Sequence, residues 1–416
     1  MPSRRIFLKN GAFALVSLGF APSFLARTAS AAGLKGRSKQ LIAIFQRGAV
    51  DGLNMIVPHG EADYYRARPS IAIPRPRETN GAIDLDGLFG LHPRLRPLKD
   101  LWDRRDLAIV HACGSPDSTR SHFDAQDYME TATPGVKSTG DGWLNRYLQV
   151  RHAETASAFR AVSLTQQLPR VLQGPAPALA VNQIAQFGIR DGRSGNNDAM
   201  SASFEAQYAA AADRVLNGVG REAFDAMKTL KAADPSRYQP ENGADYPRSP
   251  FGQALRQIAQ LSKAGLGLEV AFADIGGWDT HVNQGAADGQ LAVRLDDFSR
   301  SIAALVADLG DRMADTVVVT MSEFGRAVGE NGNRGTDHGH GNAMMVIGGG
   351  VAGGKVYGRW PGLSAEHRYE GRDLAVTTDF RDVFGEIVVR HLSVADPHAI
   401  FPGYTVQPSR FPGLFA

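Results

Sequence analysis

Acidic and imidazole side chains crowd one short stretch of this chain, residues 317–341, which reads VVVTMSEFGRAVGENGNRGTDHGHG. Its β-branched start predicts a buried strand. The loop that follows carries Glu323, Arg326, Asp337, His338 and His340. Asp, Glu and His are the side chains that bind zinc, manganese or magnesium where no thiolate is offered. The chain has 11 histidines in 416 residues, and two of them fall here, two positions apart. In an extended loop that spacing points both rings the same way. Glycines at 325, 329, 332, 335, 339 and 341 would let the loop adopt positive φ and approach a ligand closely.

A second pair, Asp279 and His281 in GGWDTH, shares the spacing of two and follows another apolar run. A third carboxylate, Asp51, follows the first apolar run. With Asp337, His338 and His340 these make six oxygen and nitrogen donors. Six is the inventory of a two-metal centre, whose ions sit about 3.5–4 Å apart and clamp an ester under in-line attack. A turn after a strand is the competing reading of Asp279 and His281. Ser121, in STRSHFDAQ, stands where a helix should begin, and a helix N-terminus favours an anion. A hydroxyl beside a metal there is a candidate nucleophile; a plain N-cap is the other reading. Neighbouring Arg120 offers a fork for phosphate or sulfate oxygens.

The elements that must position these groups alternate. Apolar runs at 41–45, 107–110, 268–272, 317–319 and 344–347 predict strands. Helical periodicity predicts helices at 93–102, 121–131, 251–263 and 291–309, with a last helix capped by Asp379. Strand and helix in turn mean an α/β fold: one large, mostly parallel sheet with helices on both faces. No clean linker divides 32–416, so a single domain is expected, with a lid or insertion at 180–250 around the Ala-rich stretch 201–233.

The first 31 residues predict an address. Ser3-Arg4-Arg5-Ile6-Phe7-Leu8-Lys9 is a twin-arginine pattern, 11–26 is a short apolar region, and Ala29-Ser30-Ala31 fits a cleavage site. Removing this segment takes away four basic residues and leaves 41 basic against 43 acidic side chains, a balance that argues against a nucleic-acid partner. The single cysteine, Cys113, excludes an intrachain disulfide, so a protein exported to the periplasm or beyond must rely on its core.

TRSHFDAQD, GWDTH, SEFGR and GTDHGHG, behind a twin-arginine signal, resemble the bacterial family called domain of unknown function 1501 over nearly the whole mature chain. That family is grouped with the alkaline phosphatase and sulfatase superfamily. The resemblance implies an alkaline-phosphatase-like domain with a dinuclear site of divalent ions (zinc, manganese, magnesium or calcium). It puts Ser121, or failing it Thr119 or Ser118, in the nucleophile's place, and Asp51, Asp279, His281, Asp337, His338 and His340 among the ligands. In the superfamily the Asp-His pair follows its strand almost directly. Here Glu323 stands there, 14 residues before Asp337, so Glu323 is a ligand instead of Asp337 or alongside it. Cys113-Gly114-Ser115-Pro116 does not fit the sulfatase pattern C/S-x-P-x-R, which favours a phosphoester. The expected activity is metal-dependent hydrolysis of a phosphate or sulfate ester, on a small molecule or a glycan. The alternative is an exported binding or assembly protein that kept the fold without the chemistry.

Overall fold

The computed structural model describes residues 14–16, 38–151, 157, 159–184 and 238–415. Nearly all of the segment read as an export signal, the Ala-rich stretch 201–233 and most of the expected insertion lie outside the described residues. Thirteen strands appear among the described ones. In chain order they are β1 (Ala14–Val16), β2 (Gln40–Arg47), β3 (Ile56–Val57), β4 (Ile83–Asp84), β5 (Gly90–Leu91) and β6 (Leu107–Gly114). Then come β7 (Ala161–Ser163), β8 (Leu179–Val181), β9 (Val270–Gly276), β10 (Thr316–Met321), β11 (Asn342–Gly348), β12 (Lys355–Tyr357) and β13 (Thr378–Asp379).

Ten of these form one sheet in the order β1-β8-β7-β9-β2-β10-β11-β6-β12, with β13 also on β6. From β8 through β7, β9 and β2 to β10 every pairing is parallel. β11 runs antiparallel to both β10 and β6. The cause is the loop at 322–341: without a crossover helix, the chain re-enters the sheet at the edge it left and must run back.

Side-chain alternation along the strands sorts the core into two layers. On one face, Ile42, Ile44 and Val318 pack with Leu255 and Ile258 of the helix Pro250–Lys263 and with Leu295, Phe298 and Ile302 of the helix Gln290–Leu309. On the other, Leu41, Ala43, Phe45, Val317 and Val319 pack with Trp143 and Leu144 of the helix Trp143–Val150 and with Phe380, Val383 and Phe384 of the helix Phe380–Glu386. The helix expected at 93–102 is a 3-10 turn, Pro93–Leu98, followed by a short α-helix, Lys99–Asp103. Pro97 lies inside that turn and lacks the N–H that an α-helix needs at that point. Among the described residues no helix is long and apolar enough to cross a membrane.

Two core histidines set an acid limit. His92 Nδ1 accepts from Arg94 N at 3.0 Å, and its Nε2 faces Ala286 O at 3.0 Å. His111 Nδ1 accepts from Ala112 N at 2.9 Å, and its Nε2 faces Ile56 O at 3.2 Å. Both rings are neutral in this arrangement, and burial pushes each down to about 4. Between about 4 and 6.5 the unfolded chain therefore binds protons that the folded one does not. Stability should fall as pH falls through that window, by up to about 1.4 kcal/mol per pH unit for each ring. Denaturant midpoints measured from pH 7 to 4.5 check this, and a flat profile would contradict it.

Candidate metal centre

The parallel strands β2, β9 and β10 end at the same edge, where an open α/β sheet places its chemistry. Three loops meet there: 48–51 after β2, 277–281 after β9 and 322–341 after β10. The third doubles back on itself. Gly325 N donates to His340 O at 2.9 Å, Gly339 N to Gly325 O at 2.8 Å and Ala327 N to Asp337 O at 2.9 Å. Thr336 N donates to Thr280 O at 3.1 Å and joins this loop to the β9 loop. None of the loop's six glycines takes positive φ, contrary to the sequence expectation. Four of them, Gly325, Gly335, Gly339 and Gly341, are needed for contact between backbones instead. A Cβ on Gly325 would lie 1.8 Å from Gly341 O, and one on Gly339 would lie 2.3 Å from the carbonyl carbon of Arg326. Gly48, at φ +111 in the β2 loop, does need the left-handed region.

Into this edge the helix His122–Thr131 delivers its first residue. Ser121 Oγ accepts from Asp124 N at 3.5 Å and starts the helix, so His122 sits one residue past the cap. His338 Nε2 then lies 3.0 Å from His122 Nε2, 3.0 Å from His281 Nε2 and 3.3 Å from Asp279 Oδ1. Asp279 Oδ1 is 3.0 Å from His281 Nε2, and Asp279 Oδ2 is 3.6 Å from His122 Nε2. Donor atoms around a tetrahedral zinc with bonds of about 2.0–2.1 Å are separated by roughly 3.3–3.4 Å, which falls inside this range. His122, Asp279 and His338 offer ligand atoms all within 4.8 Å of one another, a candidate three-residue metal site; His281 adds a fourth donor beside it.

The far nitrogen of each ring is occupied. His122 Nδ1 lies 2.8 Å from Glu323 Oε1, His281 Nδ1 3.3 Å from Asp337 Oδ1 and His338 Nδ1 2.9 Å from Arg120 O. A carbonyl oxygen and carboxylates accept, so each Nδ1 carries the proton and each Nε2 turns a lone pair inward. The His338 lone pair meets those of His122 and His281 at 3.0 Å each, contacts that repel unless a cation lies between them, and imidazoles held from behind by carboxylates or carbonyls are the usual partners of a metal. The hydrogen bond that His122 donates to Glu323 raises the His122 pKa above its ordinary value, whereas burial lowers that of His338. Burial pushes the Asp279 carboxyl up, but Arg326, His281 and His122 together outweigh it and the net shift is downward.

The other sequence-nominated residues stand elsewhere. Asp51 is fully buried, paired with Arg68 at 2.6 Å, and accepts from Gln284 Nε2 at 2.7 Å. A carboxylate sealed from water needs such a partner. It supports the site at one remove, because Gln284 Oε1 accepts from Thr280 and Thr336. His340 parts from His338: its ring stacks on Tyr369 at 4.3 Å. Glu323 and Asp337 stand behind histidines rather than among the donors. Arg120 Nη2 is held by Glu370 and Asp373, each at 2.7 Å, and Thr119 Oγ1 accepts from Ser121 N at 3.2 Å. His122 was overlooked in the sequence. Its signal was a rare histidine one place after a helix cap.

A family model described as a protein of unknown function, DUF1501, matches residues 108–386. No curated protein matches the sequence. Among solved structures, the zinc complex of the C-terminal periplasmic domain of EcEptC from Escherichia coli aligns with a TM-score of 0.36 and 9% identity. The alignment covers 75% of this chain and 73% of that one, and at that score it carries no argument.

Proposed function

The chain belongs to the DUF1501 family, and we propose that this member is an exported, metal-dependent hydrolase of phosphate or sulfate esters, with phosphoesters favoured. The observation that carries this reading is the pair of Nε2–Nε2 contacts at 3.0 Å, each ring with its other nitrogen already engaged. A donor set of three imidazoles and one carboxylate fits zinc. We assign one ion to His122, Asp279 and His338, with His281 beside them, where two were expected from sequence, because Asp51 and His340 have other partners. When bound, such an ion polarises an ester oxygen and lowers the pKa of a coordinated water.

The remaining work belongs to the chain. Glu323 fixes the tautomer of His122, and Asp337 that of His281. The donor side chains keep 23–44% of their surface exposed, so an ester can reach the face they present. Four protein donors also fill a tetrahedron, which is the pattern of a closed structural site. That observation favours a second reading, an exported binding or assembly protein with a structural ion. A panel of aryl phosphate and sulfate esters, assayed with zinc and with chelator, separates the two. Zinc-dependent turnover supports the hydrolase, and a zinc-loaded but inert protein supports the second reading.

Ser121 is the nucleophile to test, with Thr119 next. If Ser121 serves only as a cap, Ser121→Ala should cost about 1 kcal/mol of stability, and Ser121→Asp should be tolerated. If it is the nucleophile, both variants should lose ester turnover while zinc content and melting temperature stay near wild type. Arg120 reaches an ester oxygen only if both Glu370 and buried Asp373 release its Nη2. Export by the twin-arginine route rests on Arg4 and Arg5. Replacing both with Lys should leave precursor in the cytoplasm, and normal export of that variant would remove the claim.

A further inference from the structure

We propose that Arg326 is the positioning residue that holds the metal-binding loops in their liganding geometry before any ion arrives; this rests on the metal reading above. Arg326 is 1% exposed and sits directly behind the site. Its guanidinium donates to five acceptors on three loops. Nε reaches Ala49 O at 2.8 Å, and Nη1 reaches Thr336 O at 3.1 Å. Nη2 reaches Gly48 O and Trp278 O, each at 3.0 Å, and Asp279 Oδ1 at 2.5 Å. Gly48 and Ala49 belong to the β2 loop, Trp278 and Asp279 to the β9 loop, and Thr336 to the β10 loop just ahead of Asp337 and His338.

Carbonyls make four of the five acceptors, so the contacts depend on the path of the backbone. The fifth is a metal donor, Asp279, whose carboxylate is also the one anion among these partners. A planar fork with five donors suits this task, and a lysine ammonium does not. Asp279 Oδ1 is thereby fixed in direction while Asp279 Oδ2 faces His122. The geometry ties the two donor-bearing loops, after β9 and β10, to each other and to the β2 loop beside them through one buried side chain.

Two measurements test this. In Arg326→Lys, zinc affinity should fall by about 10–100-fold, as for loss of an outer partner at other metal sites, with the ion-free fold retained by circular dichroism. Wild-type zinc affinity in that variant would overturn the proposal. If the variant does not fold, hydrogen exchange on the wild type decides. The amides of Gly325, Ala327, Thr336 and Gly339 should exchange within about tenfold of the same rate with and without zinc, since their pairing does not wait for the ion. Protection that appears only on adding zinc would mean the ion organises the loops, and the proposal fails. A wild type that binds no zinc removes the metal reading instead, and the exchange of those amides in the ion-free protein still reads on Arg326.

Discussion

His122→Ala should leave the protein folded and strip it of its ion. His122 Nε2 is 3.0 Å from His338 Nε2, and deleting it removes one of four donors. Loss of a mere outer partner costs roughly 10–100-fold in metal affinity, so loss of a donor should cost more than 100-fold. The fold should survive, because the Ser121 cap remains and the His122 ring is partly exposed. Buried Glu323 keeps its other partners: Gly48 N at 2.8 Å, Gln126 Nε2 at 2.9 Å and Ser322 Oγ at 3.1 Å. A competition titration with a zinc-sensitive chelator, run beside a melting curve, reads both quantities. Wild-type zinc affinity in His122→Ala would remove His122 from the site. The same change at His340, which stacks on Tyr369, should leave zinc affinity near wild type.

Chelation of the wild type should lower its melting temperature without unfolding it at room temperature. The two core layers on either side of the sheet involve none of the donors, so the ion-free chain retains its core. An ion at 1,000 times its dissociation constant stabilises a protein by about 4.1 kcal/mol. For a chain this long, with an unfolding entropy of about 0.8 kcal/mol/K, that corresponds to roughly 5 °C, at about 1.2 °C per kcal/mol. Readdition of zinc should restore the loss, and His122→Ala should show no response to chelator. The effect also depends on pH, because an imidazole must be neutral to bind. The pKa of His122 is raised by Glu323, so in the ion-free protein it still carries a proton somewhat above pH 6.5. Zinc affinity should therefore rise with pH through that range and level off once His122 has deprotonated. An affinity that falls as pH rises there would contradict the assignment.

The large strands were legible because burial on both faces demands an unbroken apolar run, as Val317, Val318 and Val319 display. β7 and β8, each three residues long, were not, since so short a run carries no period. Trp143–Val150 escaped for a different reason: its packing face is set by stacking of Trp143 on Phe384 at 4.5 Å, a partner more than two hundred residues away. Within the site, Asp279, His281 and His338 were readable as candidate donors from residue type and local spacing. Which of the nominated groups meet was not readable. Asp51 is claimed by Arg68, and His340 is turned aside by Tyr369, both through tertiary contacts. The same holds for Glu323, whose place behind His122 depends on the meeting of β10 with the helix that Ser121 caps. Arg326 looked like one charged loop residue among several until its five acceptors showed three loops converging on it.

The most direct measurement is the metal content of the natively purified protein, by elemental analysis before and after exposure to chelator and then to zinc. Close to one zinc per chain is expected, removed by chelator, restored by zinc and absent from His122→Ala. Two ions per chain would reinstate a dinuclear centre and contradict the four-donor assignment. A chain that stays free of metal in the presence of excess zinc would contradict the site altogether.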